Sequence, residues 1–238
     1  MVSDRMMVVL AALDRDDARG ADAGPPAAVA TAAAVALDVD GITAVVGTGS
    51  TGVVVAWGTE AVSVTLEDLQ FTLGEGPGLE AATTGVPVLV PDLAAAAARW
   101  PVFAPAASTS GAGAIFVFPL WIGAISVGAM TLDRSTVGPL SAGQVTDALA
   151  LADAVTGLML DHQSTATGGD RPGAGWAQPV TYRAEVHQAT GMISVQLGVG
   201  LAEAVARLRA HAWSGDRLLA DVAADVVARR LRFDGPNL

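Results

Sequence analysis

The spacing of apolar residues divides the chain into a mixed region of helices and strands and an all-helical end. Near the N-terminus apolar positions recur at steps of three and four, which predicts a helix capped by Ser3 and a second helix over residues 26–37. The pattern then changes toward alternation. It predicts strands over residues 42–46, 52–57 and 61–71.

A glycine-rich loop and a set of short elements follow. The loop, Leu73-Gly74-Glu75-Gly76-Pro77-Gly78, is too rich in glycine for regular structure and precedes a short helix. We predict a strand over 87–91, a loosely helical segment over 100–107 and a β-hairpin over 113–133. Residues 114–132 carry no charge and are numerous enough to cross a bilayer. Proline and glycine in the middle of this run favour a buried hairpin over a membrane span.

The clearest helix is predicted over residues 141–161, where Ser141 and Gln144 fit a capping box. It is apolar on two sides. One stripe consists of Val145, Leu149, Ala152 and Met159, and the other of Leu151, Val155 and Leu158. One stripe can cover the sheet, and the other is covered either by the same helix of a second copy, in a homodimer, or by the two N-terminal helices.

Residues 162–180 are rich in glycine and proline, which predicts a flexible linker. Three helical patterns follow within residues 181–233, and they predict a small bundle. The first pattern has Val186, Ala189, Ile193 and Leu197, the second has Leu201, Val205, Leu208 and Ala212, and the third has Leu219, Val222, Ala223 and Val226. Asp216 is the predicted N-cap of the third helix.

Composition and charge narrow the classes of function. The chain has 238 residues, 52% of them apolar and 16% charged, so it can bury a core. Its formal net charge is −11, yet residues 181–233 hold seven arginines against five acidic residues. A polyanionic partner is therefore expected to meet the C-terminal region.

The chain contains no cysteine, which excludes disulfides, zinc–thiolate sites and thiol nucleophiles. No set of nucleophile, base and orienting group can be assembled from it, so we expect no enzyme, no metal site and no cofactor. The short apolar run at residues 6–13 follows Asp4 and lacks the basic start of a signal peptide. We therefore expect a cytoplasmic protein that is not in a membrane.

Three sequence segments in the C-terminal region have the order and spacing of the motifs of a known family. They are Val186-His187-Gln188-Ala189-Thr190-Gly191-Met192-Ile193, then Leu201-Ala202-Glu203-Ala204, then Asp221-Val222-Ala223. With these runs, residues 181–238 resemble the ANTAR domain, a three-helix RNA-binding module of bacterial transcription antiterminators. The resemblance implies a protein, usually a dimer, that binds RNA stem-loops and so prevents a terminator from forming.

On this resemblance the RNA-binding residues are expected to be Thr190, Arg207, Arg209, His211, Trp213 and Arg217. Arg207 and His211 lie four residues apart and share a helix face. Trp213 is either a stacking platform for a base or a plug in the core. Many relatives carry lysine where this chain has Thr190, which can hydrogen-bond a phosphate but releases no counterion.

The segment from about Pro26 to Asp161 resembles a GAF domain, a sensory fold with a central antiparallel sheet, through the loop at 73–78 and the paired strands at 114–133. The resemblances together imply an α+β fold with a GAF-like sensor and its N-terminal helices at 1–161, the linker at 162–180 and an ANTAR domain at 181–238. Within the sensor, Glu75 either contacts a ligand or caps backbone N–H groups. Because arginine is scarce there, a small, weakly charged ligand or none is expected, and no ligand-binding residue is assigned.

The resulting hypothesis is a ligand-modulated, RNA-binding regulator of transcription antitermination. One alternative is a DNA-binding regulator whose last two helices form a helix-turn-helix. The second helix, of about twelve residues, is long for that motif, and the third carries its arginines at the wrong end. The other alternative is a module for protein interaction or dimerisation that binds no nucleic acid.

Overall fold

A five-stranded antiparallel sheet forms the centre of the larger part of the chain. The computed structural model describes residues 1–17, 27–46, 54–59, 62–165, 181–215 and 217–233. The strands are β1 Gly41–Val46, β2 Val54–Gly58, β3 Val88–Val90, β4 Ala114–Ile122 and β5 Ile125–Arg134, in the order β2-β1-β5-β4-β3. The predicted hairpin is confirmed. Ile122 pairs with Ile125 across a tight turn in which Gly123 has a φ of 58°.

The sheet is buried on both faces, which explains the long uncharged run in β4. Successive side chains of a strand point to opposite faces. Phe116 and Phe118 belong to the apolar cluster on one face, and Ile115 and Val117 to the cluster on the other. All four side chains are fully buried. Apolar residues are therefore required on both faces of β4. This produces an uncharged run like that of a membrane-spanning segment.

Three helices cover the first face of the sheet: α1 Asp4–Asp17, α2 Ala27–Leu37 and α6 Ala142–Thr165. The predicted caps are confirmed. Ser3 Oγ accepts the Met6 N–H at 3.2 Å and donates to Asp147 of α6 at 2.6 Å. In the capping box of α6, the Ser141 N–H donates to Gln144 Oε1 at 2.8 Å, and the Gln144 N–H donates to Ser141 Oγ at 3.2 Å.

The two apolar stripes of α6 are mostly buried within one chain, since α6 packs against β4, α1 and α2. Leu151, Val155 and Met159 are at most 2% exposed. Leu149 is the exception, with 43% of its surface exposed. Of the two alternatives for covering the second stripe of α6, the N-terminal helices therefore provide much of the cover, without a second copy of the chain.

The second face of the sheet is covered by α3 Val62–Leu73, α4 Pro77–Thr84, a 3-10 helix at Ala94–Ala98 and α5 Phe103–Thr109. The prediction of a strand over 61–71 is wrong, because α3 occupies that segment. Val62, Leu66, Leu69 and Leu73 lie three or four residues apart on this helix, with Leu66 fully buried and the others partly buried. The short alternation at its start misled the prediction, and the longer helical period decided the structure.

Three C-terminal helices complete the structure: α7 Thr181–Leu197, α8 Leu201–Ser214 and α9 Leu219–Val227, which we call the C-terminal bundle. The buried members are Val186, Ala189, Ile193, Ala204, Leu208, Ala212, Leu219, Val222, Ala223 and Val226. These residues are contiguous with the cluster on the second face of the sheet. Leu201 departs from prediction, since 41% of it is exposed and Ala204 takes its place in the core.

The predicted linker and one predicted cap fall largely outside the described residues. Helix α6 ends at Thr165, four residues beyond the predicted boundary at Asp161, and residues 166–180 and Asp216 are not described. Across the described ranges no single helix has both the length and the hydropathy for crossing a membrane. Taken together, α7 and α8 are long and apolar enough, but the two helices are bent by 106° relative to each other.

Candidate nucleic-acid interface

Trp213 and Arg217 line one cavity where α8 ends and the chain turns into α9. The Gly215 N–H bonds the His211 carbonyl, and the Arg217 N–H bonds the Ala212 carbonyl at 2.9 Å, which fixes the turn. Trp213 is 69% exposed, so it is a surface aromatic and not a core plug. Arg217 is exposed and donates to Asp225 of α9 at 2.6 Å.

Asp225 links Arg217 to Arg230, which follows α9. It accepts from Arg217 and, at 2.7 Å, from Arg230. Hydrogen bonds from Arg217 first and Arg230 second hold the pKa of the Asp225 carboxyl below its ordinary value. The exposed guanidinium groups of Arg217 and Arg230 are thereby fixed about one carboxylate at the end of the bundle.

Arg207 and His211 share an exposed face of α8, as their spacing predicts. Arg207 pairs with Glu203 one turn earlier at 2.8 Å. The His211 ring meets the Phe233 ring edge-on, with 5.2 Å between centroids. This face points roughly opposite to the one that carries Arg209 and Trp213, because two residues of a helix turn through about 200°.

Arg209 points from α8 to the five-stranded sheet and its covering helices, α1 to α6, which we call the sheet domain. Its Nη2 donates to the Phe71 carbonyl at 2.5 Å, and its guanidinium carbon lies 5.7 Å from the centre of the Phe71 ring. Phe71 is in the last turn of α3, where carbonyl groups lack intrahelical donors and positive charge is favoured. Arg209 therefore acts as a cap for α3 and holds the bundle against it.

Gly74 provides the space for this contact. Its φ is 71°, and a Cβ at this position would lie 2.9 Å from Arg209 Nη1. The glycine loop is evident from the sequence, but its role as a seat for an arginine 135 positions later is not. No local sequence pattern predicts this contact, because Gly74 and Arg209 are brought together only when the chain folds.

Thr190 is placed away from any surface. It is 3% exposed, and its hydroxyl donates to the Val186 carbonyl at 2.7 Å. In this structure Thr190 therefore has no route to a phosphate. Of the six predicted residues, Arg209, Trp213 and Arg217 are brought to one place, Arg207 and His211 to a second, and Thr190 to neither.

A cavity of about 330 Å³ lies where Arg209, Trp213 and Arg217 meet the sheet domain. We call it the seam cavity. Its wall on the bundle side includes these three residues and Leu219, and its wall on the sheet side consists of Thr72, Leu73 and Val102. The walls are mainly apolar, with the guanidinium groups as the charged part.

Glu75, the acid singled out in the glycine loop, caps backbone groups. Its Oε1 accepts the N–H groups of Val102 and Phe103 at the start of α5, each at 2.7 Å. Of the two roles that the sequence allowed for Glu75, ligand contact and capping, the structure shows capping. The Glu75 carboxylate is therefore already hydrogen-bonded within the protein.

Replacement of Glu75 by glutamine tests this capping. We expect Glu75→Gln to lower the free energy of unfolding by about 1–2 kcal/mol, because two charge-assisted hydrogen bonds become neutral ones. Urea denaturation measures the change. The matched control is Glu80→Gln, which removes the surface ion pair with Arg99 and is expected to cost about 0.5 kcal/mol or less. Equal effects would contradict the capping role.

A buried polar chain connects α3 to the sheet and to the glycine loop. Glu67 Oε1 accepts from Thr131 at 2.5 Å and from Gln70 at 3.2 Å, and Gln70 Oε1 accepts the Gly78 N–H at 2.5 Å. A Cβ on Gly76 would lie 2.7 Å from the Gln70 side chain. The glycine loop therefore wraps around Gln70, whose amide fills the space beside it.

Solved structures match the fold. The GAF domain of a phosphoenolpyruvate-protein phosphotransferase from Coxiella burnetii is 14% identical, with a TM-score of 0.52 over 69% of this chain and 99% of that one. The GAF domain of the corresponding Acinetobacter protein is 10% identical, with a TM-score of 0.49 over 70% and 99%. No protein-family model matches the chain, and no curated protein does. The larger part of this chain has the fold of a GAF domain.

Proposed function

We propose that this chain is a cytoplasmic, RNA-binding regulator of transcription antitermination that catalyses no reaction. The C-terminal bundle binds RNA stem-loops as an ANTAR domain would, the GAF-like part is its ligand-modulated sensor, and the active form is a homodimer. The observation that carries the proposal is that Trp213, 69% exposed, and Arg217 line one cavity at the end of α8.

An exposed indole and a guanidinium group that line one cavity suit an RNA loop. Bases in a loop are unstacked and can stack on an aromatic ring or an arginine plane, while arginine also reaches the phosphates. The C-terminal region is the basic part of an otherwise acidic chain. Arg207 and His211 lie on the opposite face of α8 and would contact a different part of the RNA.

Docking of the bundle gives the sensor a means of control. Arg209 is held by Phe71, and the cavity that Trp213 and Arg217 line is closed on one side by α3. RNA that uses all three residues requires Arg209 to leave Phe71. Anything that stabilises the docked position lowers the apparent affinity for RNA.

A gel-shift titration of the full chain tests the proposal. The RNA carries two adjacent stem-loops, and loop-scrambled RNA and duplex DNA of equal length serve as controls at two salt concentrations. Loop-specific binding that weakens with salt is expected. Preference for duplex DNA would favour a helix-turn-helix regulator, and no shift in any lane would favour a protein-interaction module. Light scattering of the same complexes gives the number of copies bound.

Trp213→Ala separates stacking from charge. We expect RNA affinity to fall at least about five-fold with an unchanged salt dependence, because base stacking on an aromatic ring contributes about 1–3 kcal/mol and involves no counterion. Arg217→Gln is expected to reduce the salt slope by about one instead.

Leu218→Ala is the matched control, because Leu218 is 71% exposed beside Arg217 but has no aromatic face. It is expected to leave RNA affinity unchanged. An equal loss for Leu218→Ala and Trp213→Ala would contradict stacking.

A further inference from the structure

Arg209 is a largely desolvated cation that has no anion among the described residues. Its Nη2 meets a carbonyl, its face meets the Phe71 ring, and its Nε is buried with no hydrogen-bond partner in the described part of the chain. Burial holds the pKa of the Arg209 guanidinium below its ordinary value. Buried charges in proteins are normally paired. Arg209 is thus a cation without a counter-ion among the described residues.

The carboxylates that flank the seam cavity do not neutralise Arg209. Glu75 accepts from the Val102 and Phe103 N–H groups, and Asp225 accepts from Arg217 and Arg230. The positive charge at the cavity wall is therefore available to an anion from outside.

The size and lining of the seam cavity restrict what that anion can be. A volume of about 330 Å³ is at the lower end for small-molecule sites. Leu73, Val102 and Leu219 supply apolar walls, and Trp213 supplies an aromatic one. Among the arginines that line the cavity, Arg217 has a carboxylate partner, which it shares with Arg230, whereas Arg209 has none among the described residues, and this favours a ligand with one carboxylate.

We propose that the seam cavity binds a small organic acid with one carboxylate and an apolar, preferably planar, body. The carboxylate accepts from Arg209, and the body lies between Leu73 and Trp213. Such a molecule contacts both the sheet domain and the C-terminal bundle. It therefore binds the docked arrangement better than the undocked one and stabilises it.

The site stands without any role for RNA. Its consequence for RNA rests on the proposed function: an acid that stabilises the docked bundle lowers RNA affinity, and RNA lowers the affinity for the acid by the same factor. Binding of the acid is measured in the absence of RNA. Failure of the site and failure of the proposed function are therefore separate results.

Isothermal titration calorimetry of the full chain tests the site with phenylacetate, benzoate and hexanoate, each against its neutral amide. We expect at least one acid to bind at least about ten-fold more tightly than its amide, since a hydrogen bond to a charged group contributes about 1.5–3 kcal/mol. In Arg209→Gln this ratio is expected to fall to about one, with the affinity for acid and amide both lowered by weaker docking, because the Phe71 carbonyl loses its charged donor. Circular dichroism shows whether the variant is folded. Arg207→Gln, on the opposite face of α8, is the matched control and keeps the wild-type ratio.

A second variant acts through shape. Ala210 lines the cavity and is solvent-exposed, so Ala210→Phe fills the space without disturbing the core, and it is expected to abolish binding of acid and amide alike. Saturable binding of none of the acids in the millimolar range would overturn the proposal. An acid-to-amide ratio that Arg209→Gln leaves unchanged would overturn it equally.

Discussion

Leu208→Ala is expected to lower the free energy of unfolding by about 3–5 kcal/mol, a large share of the stability of a typical domain. Leu208 is fully buried at the centre of the C-terminal bundle, among Val186, Ala212 and Val222. Its truncation removes buried methyl groups and leaves a cavity that the packed helices can close only in part. The change is measured as a shift of the urea midpoint at constant slope.

The same substitution at Leu201 provides the matched control on the same helix. Leu201 begins α8 and is 41% exposed, so Leu201→Ala is expected to cost less than about 1 kcal/mol. The sequence pattern alone puts both leucines on the buried stripe. Equal costs would favour that pattern over the packing of Ala204 and Leu208 in the structure.

The elements that could be predicted from the sequence have signals that act over a few residues. Ser141 and Gln144 cap each other three positions apart, Gly123 makes the turn of the hairpin, and β4 alternates between two buried faces. Each is decided by local geometry that the residue types themselves impose. These elements establish the sheet and the helix behind it.

The errors arose where two periods or two roles fit the same residues. The strand predicted over 61–71 rested on a short alternation, whereas Leu66, Leu69 and Leu73 carry the helical period. Thr190 follows Val186 by four and precedes Ile193 by three, so it lies on the buried face of α7. That spacing was visible in the sequence and indicated burial.

The geometry of the candidate site could not be predicted, because it depends on contacts between distant segments. Arg209 meets Phe71 across 138 positions, and Gly74 leaves the space for its guanidinium group. A tryptophan is more often a core plug than a surface platform, yet Trp213 is 69% exposed. Only the packing of α8 against α9 determines its exposure.

Gly74→Ala is expected to raise RNA affinity by about ten- to a hundred-fold if docking restrains the bundle. The new Cβ would lie 2.9 Å from Arg209 Nη1 and 3.3 Å from its guanidinium carbon, so the end of the Arg209 side chain must shift away from residue 74. Where this shift breaks the charge-assisted hydrogen bond to Phe71, the docked position loses about 1.5–3 kcal/mol. Apparent affinity rises as the fraction of undocked protein rises. Gel-shift titration against the same two-stem-loop RNA measures the change.

Gly123→Ala controls for the strain of the substituted backbone. Gly123 also has a left-handed conformation, with a φ of 58°, but a Cβ there meets nothing within 4 Å. Both variants are expected to lose about 1–2 kcal/mol of stability from backbone strain. Only Gly74→Ala touches Arg209, so a gain in RNA affinity confined to Gly74→Ala attributes the gain to the arginine. Equal RNA affinity for the two variants and the wild type, with RNA binding intact, would mean that the docked position does not restrain the bundle.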